Sequence, residues 1–325
     1  MSCMNTTHSA DKTQRHAAPN AVISKTGVSD AQASVSSGMN DRVWVITGAS
    51  SGFGLAMARA ALAAGERVLG TARDLSRFAS LQQEFGDRFV AVRHDVRDTD
   101  AAQDVIDRAI AAFGRIDVLV NNAGVGQVGT AEEVTDAQLR DMLAQHLFGP
   151  AALVRAVLPS MRQAGSGWIV QLSSQGGRGS FPAVGSYSAG KFALEGWSEA
   201  LAGEVRSFGI RVLIVEPSRF RTAFNRGDVL LKAPEHAEYD SIVGDIRADM
   251  SASDGAQEGD PSRAAAVIRS VLEDTDAPLR LPLGAEAVRN LKRIYSDNLA
   301  SVEQWAELSQ SADFPGVAPS NRPGR

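Results

Sequence analysis

Short runs of almost purely apolar, often β-branched residues, separated by helix-like segments, constrain this chain more than any other feature. They read "RVWVITGA" (42–49), "RVLGTA" (67–72), "FVAVRHDV" (89–96), "IDVLVNNAG" (116–124), "GWIVQLSS" (167–174) and "IRVLIVEPS" (210–218), with "LRLPLG" (279–284) as a seventh. Strands this apolar leave no face for water, and intervening helices cover both faces of a parallel sheet. The chain therefore reads as α/β: a doubly wound parallel sheet in three layers. In such sheets ligands lie beyond the carboxyl ends of the strands. With 325 residues, 44% of them hydrophobic and 22% charged, the chain can bury a full core.

Composition otherwise excludes more than it assigns. A net charge of −5 leaves no basic footprint for nucleic acid. Cys3 is the sole cysteine, so no internal disulfide forms and a reducing, cytoplasmic setting is expected. No apolar run approaches the roughly 20 residues that span a bilayer. Residues 1–40 lack both periodicity and the apolar core of a secretory signal, and are expected to form a disordered extension. Met39 offers an alternative translation start. The α/β body is placed at 41–284, with a helical lid at about 223–259. A closing helix (285–311) that also serves a subunit interface, and a loose tail, complete 285–325.

The strand ends carry the unusual residues. The first strand runs into Thr47-Gly48-Ala49-Ser50-Ser51-Gly52-Phe53-Gly54. Gly48 permits a tight turn, and Gly52 and Gly54 let backbone approach a ligand and the following helix. That helix then offers free N–H groups to a pyrophosphate. Asn121-Asn122-Ala123-Gly124 closes the fourth strand, and Ser174 ends the fifth. Tyr187 and Lys191 follow at i and i+4, on one helix face. A free tyrosine titrates near about 10 and exchanges protons poorly at neutrality. A nearby ammonium favours the phenolate, so Lys191 is expected to lower the Tyr187 pKa. Tyr187 then serves as general acid and base, while Ser174 orients a carbonyl. A Tyr/Lys pair alone is commonplace; the serine and the glycine loop make it a catalytic set.

These motifs, in this order, resemble the short-chain dehydrogenase/reductase family, whose T-G-x-x-x-G-x-G and Y-x-x-x-K patterns both stand here. The resemblance is strong over about 42–222 and implies a Rossmann fold. It implies a nicotinamide dinucleotide held by Gly48, Ser50, Ser51, Gly52, Phe53 and Gly54. It also implies adenine contacts from Asp95 and Val96, and adenosine and ribose contacts from Asn122, Ala123 and Gly124. Tyr187 and Lys191 contact the nicotinamide ribose by the same resemblance. After the sixth strand, "EPSRFRT" places Pro217, Phe220 and Thr222 beside the nicotinamide, with Ser218 where glycine is usual.

Cofactor choice rests on "GTARD" after the second strand. NAD-preferring relatives place an acid there; this chain has Ala72 and then Arg73, which can pair with the 2′-phosphate of NADP. NADP(H) is favoured, with NAD(H) the alternative because Asp74 lies next to Arg73. No basic residue in the glycine loop offers a second phosphate contact.

One departure concerns "LAQHLFGP" (143–150). Leu139, Met142, Leu143, His146 and Leu147 have the spacing of one buried helix face, so His146 points inward. By resemblance an asparagine stands at that position and holds a relay water. Pro150 has no N–H, which frees the carbonyl of residue 146 to take that water. An imidazole with an unperturbed pKa near about 6.5 suits the same proton traffic. His146 is therefore read as a member of the catalytic set.

The expected activity is interconversion of a small-molecule carbonyl and an alcohol by hydride transfer, in a homo-oligomer. The alternatives are NAD-dependent alcohol oxidation at the same site and a non-catalytic nucleotide sensor. Arg178, Arg219, Arg221 and Arg226 are expected to be solvated surface residues.

Overall fold

The computed structural model describes residues 41–227 and 229–320. The expected N-terminal extension and the last five residues of the tail lie outside the described residues. The chain forms β1 (Val43–Thr47), α1 (Gly52–Ala63), β2 (Arg67–Ala72), α2 (Ala79–Phe85) and β3 (Phe89–Arg93). Then follow α3 (Ala102–Phe113), β4 (Val118–Asn121), β5 (Gly126–Val128), α4 (Asp136–Leu143) and α5 (Gly149–Ala164). Next come β6 (Gly167–Leu172), α6 (Gly185–Val205), β7 (Ile210–Pro217) and β8 (Leu230–Lys232). The chain closes with α7 (Asp240–Ala252), α8 (Pro261–Glu273), β9 (Arg280–Leu283) and α9 (Ala285–Gln310).

Local chemistry sets several of these limits. Gly114, left-handed at φ 80°, stops α3. A capping box between Thr135 and Gln138 starts α4. Asp260 caps α8, with Pro261 in its first turn.

Seven strands form one sheet in the order β3-β2-β1-β4-β6-β7-β9, every pairing parallel. Alternation along each strand divides the core into two layers. Trp44 and Ile46 of β1 join the cluster packed with α1 and α8, whereas Val43 and Val45 join the one with α3, α5 and α6. This is the doubly wound Rossmann arrangement. The strand order reverses between β1 and β4, so the ligand crevice opens above those two strands.

The expected strands are present; β2 keeps its full run, and the others are shorter because the ends of their runs leave the sheet to form loops, several of them at the crevice. Two short strands escaped the sequence reading: β5 and β8 pair in parallel as a separate ribbon. At three residues each, they are too short to show a period. β8 also interrupts the segment expected to be a helical flap, leaving α7 as its helix.

The helix carrying His146 is not continuous either. Residues 144–148 form a π-turn between α4 and α5, with the Gly149 N–H reaching back to the Ala144 carbonyl. Pro150 has no N–H to continue the α-ladder, and the ladder widens instead. The apolar stripe is accordingly incomplete: Met142 and His146 are buried, but Leu139 is 37% exposed.

Candidate active site

The loop after β1 is built from bare backbone. Gly48 and Gly52 hold φ of 63° and 52°, the left-handed region. A Cβ on Gly54 would lie 2.4 Å from the Gly48 carbonyl oxygen. Thr47 Oγ1 accepts from the N–H groups of Asn122 and Ala123 at 2.9 and 3.0 Å. Asn122 Nδ2 donates to the Thr47 carbonyl at 2.8 Å, so the β1 and β4 loops are locked together. Ser51 caps α1 without a side-chain bond, leaving the first-turn N–H groups uncapped. A dinucleotide pyrophosphate fits this cradle of open backbone and uncapped N–H groups.

A cavity of about 720 Å³ runs from this cradle across the carboxyl ends of the strands to Ser174, Tyr187 and Lys191. Every residue expected to touch the dinucleotide lines it except Gly54, whose missing side chain serves instead to bring α1 against the loop. At the far end of β2, Arg73 stands exposed on the cavity wall. Asp74 Oδ1 accepts from the Ser76 N–H at 3.0 Å and from its hydroxyl at 2.7 Å, capping the turn that follows. Arg77, four residues beyond Arg73 in the short 3-10 turn that Asp74 caps, lines the same end. It is the second basic group that the glycine loop lacks, and its i+4 spacing from Arg73 was the available signal. Asp95 is held by Arg97 at 2.6 Å, and that bond pushes its carboxyl down to about 2.

The three catalytic candidates meet at the other end. Ser174, Tyr187 and Lys191 line one cavity, and Ser174 Oγ accepts from the Gly176 N–H at 3.0 Å. Lys191 is buried, donates to the Leu172 carbonyl at 2.7 Å and lies 5.7 Å from the centre of the Tyr187 ring. The expected lowering of the phenol is not what the protein's own groups produce. Burial pushes Tyr187 up to about 12, against the opposing hydrogen bond from Ser174. Burial also pushes Lys191 down to about 7, opposed by Glu195. The lysine rather than the tyrosine is thus tuned to neutrality.

His146 is 2% exposed, and its ring meets the Tyr187 ring edge-on at 5.4 Å. It is clasped by two glycines: a Cβ on Gly124 would lie 2.6 Å from its Cε1, and one on Gly190 would lie 3.0 Å from its Cβ. Nε2 lies 2.9 Å from the Val125 carbonyl and must carry the hydrogen, since a carbonyl only accepts. Nδ1 then holds a buried lone pair with no partner among the described residues. Burial, followed by the Lys191 charge, pushes the imidazole well below its usual range, so it is neutral at physiological pH. This corrects the expectation of an imidazole poised near neutrality.

Beyond β7, Ser218 Oγ donates to the Leu283 carbonyl at 3.4 Å, tying the turn that bears Phe220 and Thr222 to β9. Phe224 was missed by the sequence reading: its ring packs edge-on against Tyr187 at 5.6 Å. So were Ile246 and Met250 of α7, which line the cavity at i and i+4. Nothing in the lid's sequence indicates which helix face turns inward. Arg178, Arg219 and Arg221 are not simply solvated. Arg219 pairs with Asp249 at 3.1 Å, Arg221 donates to the Gln257 carbonyl, and Arg178 lies over Tyr295. Among the described residues no helix is long and apolar enough to cross a membrane.

A family model described as short chain dehydrogenase matches residues 42–229. Oxidoreductase BOA17 of Botryotinia fuckeliana is 36% identical over 270 residues, covering 82% of this chain and 98% of that protein. A short-chain dehydrogenase from Streptomyces avermitilis superposes with a TM-score of 0.79 at 46% identity, covering 84% of this chain and 99% of that one. A metagenomic short-chain oxidoreductase in complex with NADP gives a TM-score of 0.51 at 36% identity, covering 55% of this chain and 83% of that one. The glycine cradle, the Ser-Tyr-Lys cluster and these likenesses lead to one conclusion: the chain belongs to the short chain dehydrogenase family and is an oxidoreductase.

Proposed function

We propose that the chain is an NADP(H)-dependent oxidoreductase that interconverts a carbonyl and an alcohol. One observation carries this reading: Ser174, Tyr187 and Lys191 line a single cavity continuous with the glycine cradle. When bound, the nicotinamide supplies or takes the hydride. In reduction, Tyr187 gives its phenolic proton to the carbonyl oxygen, and in oxidation it removes the alcohol proton. Ser174 donates a hydrogen bond to the same oxygen where charge develops. Lys191 holds the ribose and, titrating near neutrality, returns a proton toward Tyr187. His146 is a positioning residue that fixes the Val125 carbonyl and turns a neutral Nδ1 acceptor toward the Gly124 backbone.

The NADP assignment draws on Arg73 and Arg77 at the adenosine end, with Asp74 already engaged by Ser76. The NADP complex of the metagenomic relative supports it. We further assign a catalytic body at 41–284 with its lid at about 223–259, and a cytoplasmic location.

The oligomer is assigned to α9. Residues 296–310 are almost wholly exposed, with Tyr295, Leu299, Val302 and Trp305 along one side. The helix carries Arg289, Lys292 and Arg293 beside Glu286 and Asp297 in its first half, a net charge of +1, and Glu303 and Glu307 in its second. An antiparallel second copy of α9 covers the apolar residues and sets the net-positive half against the acidic one.

The test is NADPH consumption over a panel of ketones, aldehydes and quinones, with Tyr187→Phe alongside. Turnover by the wild type and its loss by at least about a thousandfold in the variant is expected. Equal turnover by the two proteins, or none by the wild type on any carbonyl, overturns the reading.

A further inference from the structure

Resting on the oxidoreductase reading, the geometry points to a substrate class: a ketone or secondary alcohol with one small substituent and one extended apolar arm. The part of the cavity beyond Tyr187 is walled by Val184, Phe224, Val229, Ile246 and Met250, with Phe181 at its edge. Phe224, Ile246 and Met250 also pack together against the buried Val128, Leu230 and Val243. The wall is therefore a built apolar layer and not a set of stray side chains. On α7 the apolar pair lies at i and i+4, and Asp245, Asp249 and Ser253 line the cavity one position before or three after them. The interior side of the lid is apolar, and a polar edge runs beside it.

Phe224 gives this wall its asymmetry. Its ring packs edge-on against Tyr187 at 5.6 Å, so it borders the point where the reacting oxygen receives its proton. It also rests on bare backbone: a Cβ on Gly126 would lie 2.6 Å from its Cζ. With Gly126 behind it and Tyr187 beside it, the ring has no room to retreat. The substituent on that side of the carbonyl must be small, and the larger one must extend along Ile246 and Met250. Polar arms are disfavoured there, since burial without a hydrogen-bond partner carries a penalty.

The experiment is a calorimetric binding series with the dinucleotide-saturated protein, using methyl n-alkyl ketones and the matching 2-alkanols of increasing length. Steady-state kcat/KM is measured on the same ketones. Affinity is expected to rise roughly fourfold per methylene until the lid is filled. Phe224→Ala is expected to bind ketones branched or aromatic on the small side at least about tenfold more tightly than the wild type does. Gly126→Ala, whose Cβ would press on the Phe224 ring from behind, is expected to shift preference the opposite way, toward the smallest substituents on that side. A binding series flat in chain length, or Phe224→Ala with the wild-type preference, overturns the inference. Binding requires no turnover, so a failed series strikes the substrate class, whereas absent turnover with an intact series strikes the oxidoreductase reading.

Discussion

The buried lysine should be a measurable burden on the fold, and replacing it tests the electrostatics of the site directly. Lys191 titrates at 10.5 in its ordinary state and at about 7 here, because burial disfavours the ammonium. Between those values the unfolded chain binds the proton that the folded chain has released, so stability rises with pH across that window. At pH 7 the folded protein is less stable than at the alkaline limit by roughly 4 kcal/mol from this group alone, and about half of that is recovered by pH 9. Lys191→Met keeps the aliphatic stem and removes the titration. It also leaves the Leu172 carbonyl without its 2.7 Å donor, which costs about 1–3 kcal/mol. The variant should therefore be inactive yet more stable than the wild type at pH 7 by about 1–3 kcal/mol, with a flat profile where the wild type climbs. Urea unfolding at pH 7, 8 and 9 without dinucleotide reads both. The window is clear of the other large shifts. Glu216, pushed up to about 7 from 4.5 by burial, loses its contribution as pH rises between those values. Tyr187, pushed up to about 12 from 10.0, loses its own only above the window. A wild type whose stability is flat from pH 7 to 9, or a variant that climbs as steeply, would refute the argument.

Three further outcomes are expected. Arg73→Ser should weaken NADPH binding roughly 10- to 100-fold while leaving NADH within about twofold, by fluorescence titration; equal losses for both remove the phosphate contact. Because burial and Lys191 hold the imidazole neutral, His146→Asn should leave the pH profile of kcat/KM near the ordinary histidine pKa unchanged, any limb there belonging to Lys191 at about 7. A limb there that disappears in His146→Asn would show that the imidazole titrates after all. In a Cys3→Ser background, Leu299→Cys should cross-link to its own copy under mild oxidation while Val288→Cys should not, because only the residue near the two-fold axis meets itself in an antiparallel pair. Self-cross-linking at residue 288, or none at 299, discards the α9 interface.

The fold and the meeting of Ser174, Tyr187 and Lys191 in one cavity were legible because each rests on a local pattern. Parallel strands buried on both faces announce themselves as apolar runs, and the turn after β1 needs glycine where φ is positive. The substrate wall was not legible, because Phe224, Ile246 and Met250 converge from a loop and a lid helix whose orientation is set by tertiary packing. The ionisation states were hidden for a related reason. Spacing places Lys191 one helical turn from Tyr187, but burial, which no spacing reveals, decides that the lysine moves to neutrality and the tyrosine away from it. His146 combines both cases. Its inward direction could be read from the stripe, yet its tautomer depends on the Val125 carbonyl and its space on the absent side chains of Gly124 and Gly190. Those two glycines belong to motifs that the sequence assigns to other tasks, the cofactor loop and the Y-x-x-x-K helix. The same bare backbone thus serves two ends. An imidazole fits beside Tyr187 only because both motifs leave that wall without side chains, so the departure at residue 146 is a feature of the whole site.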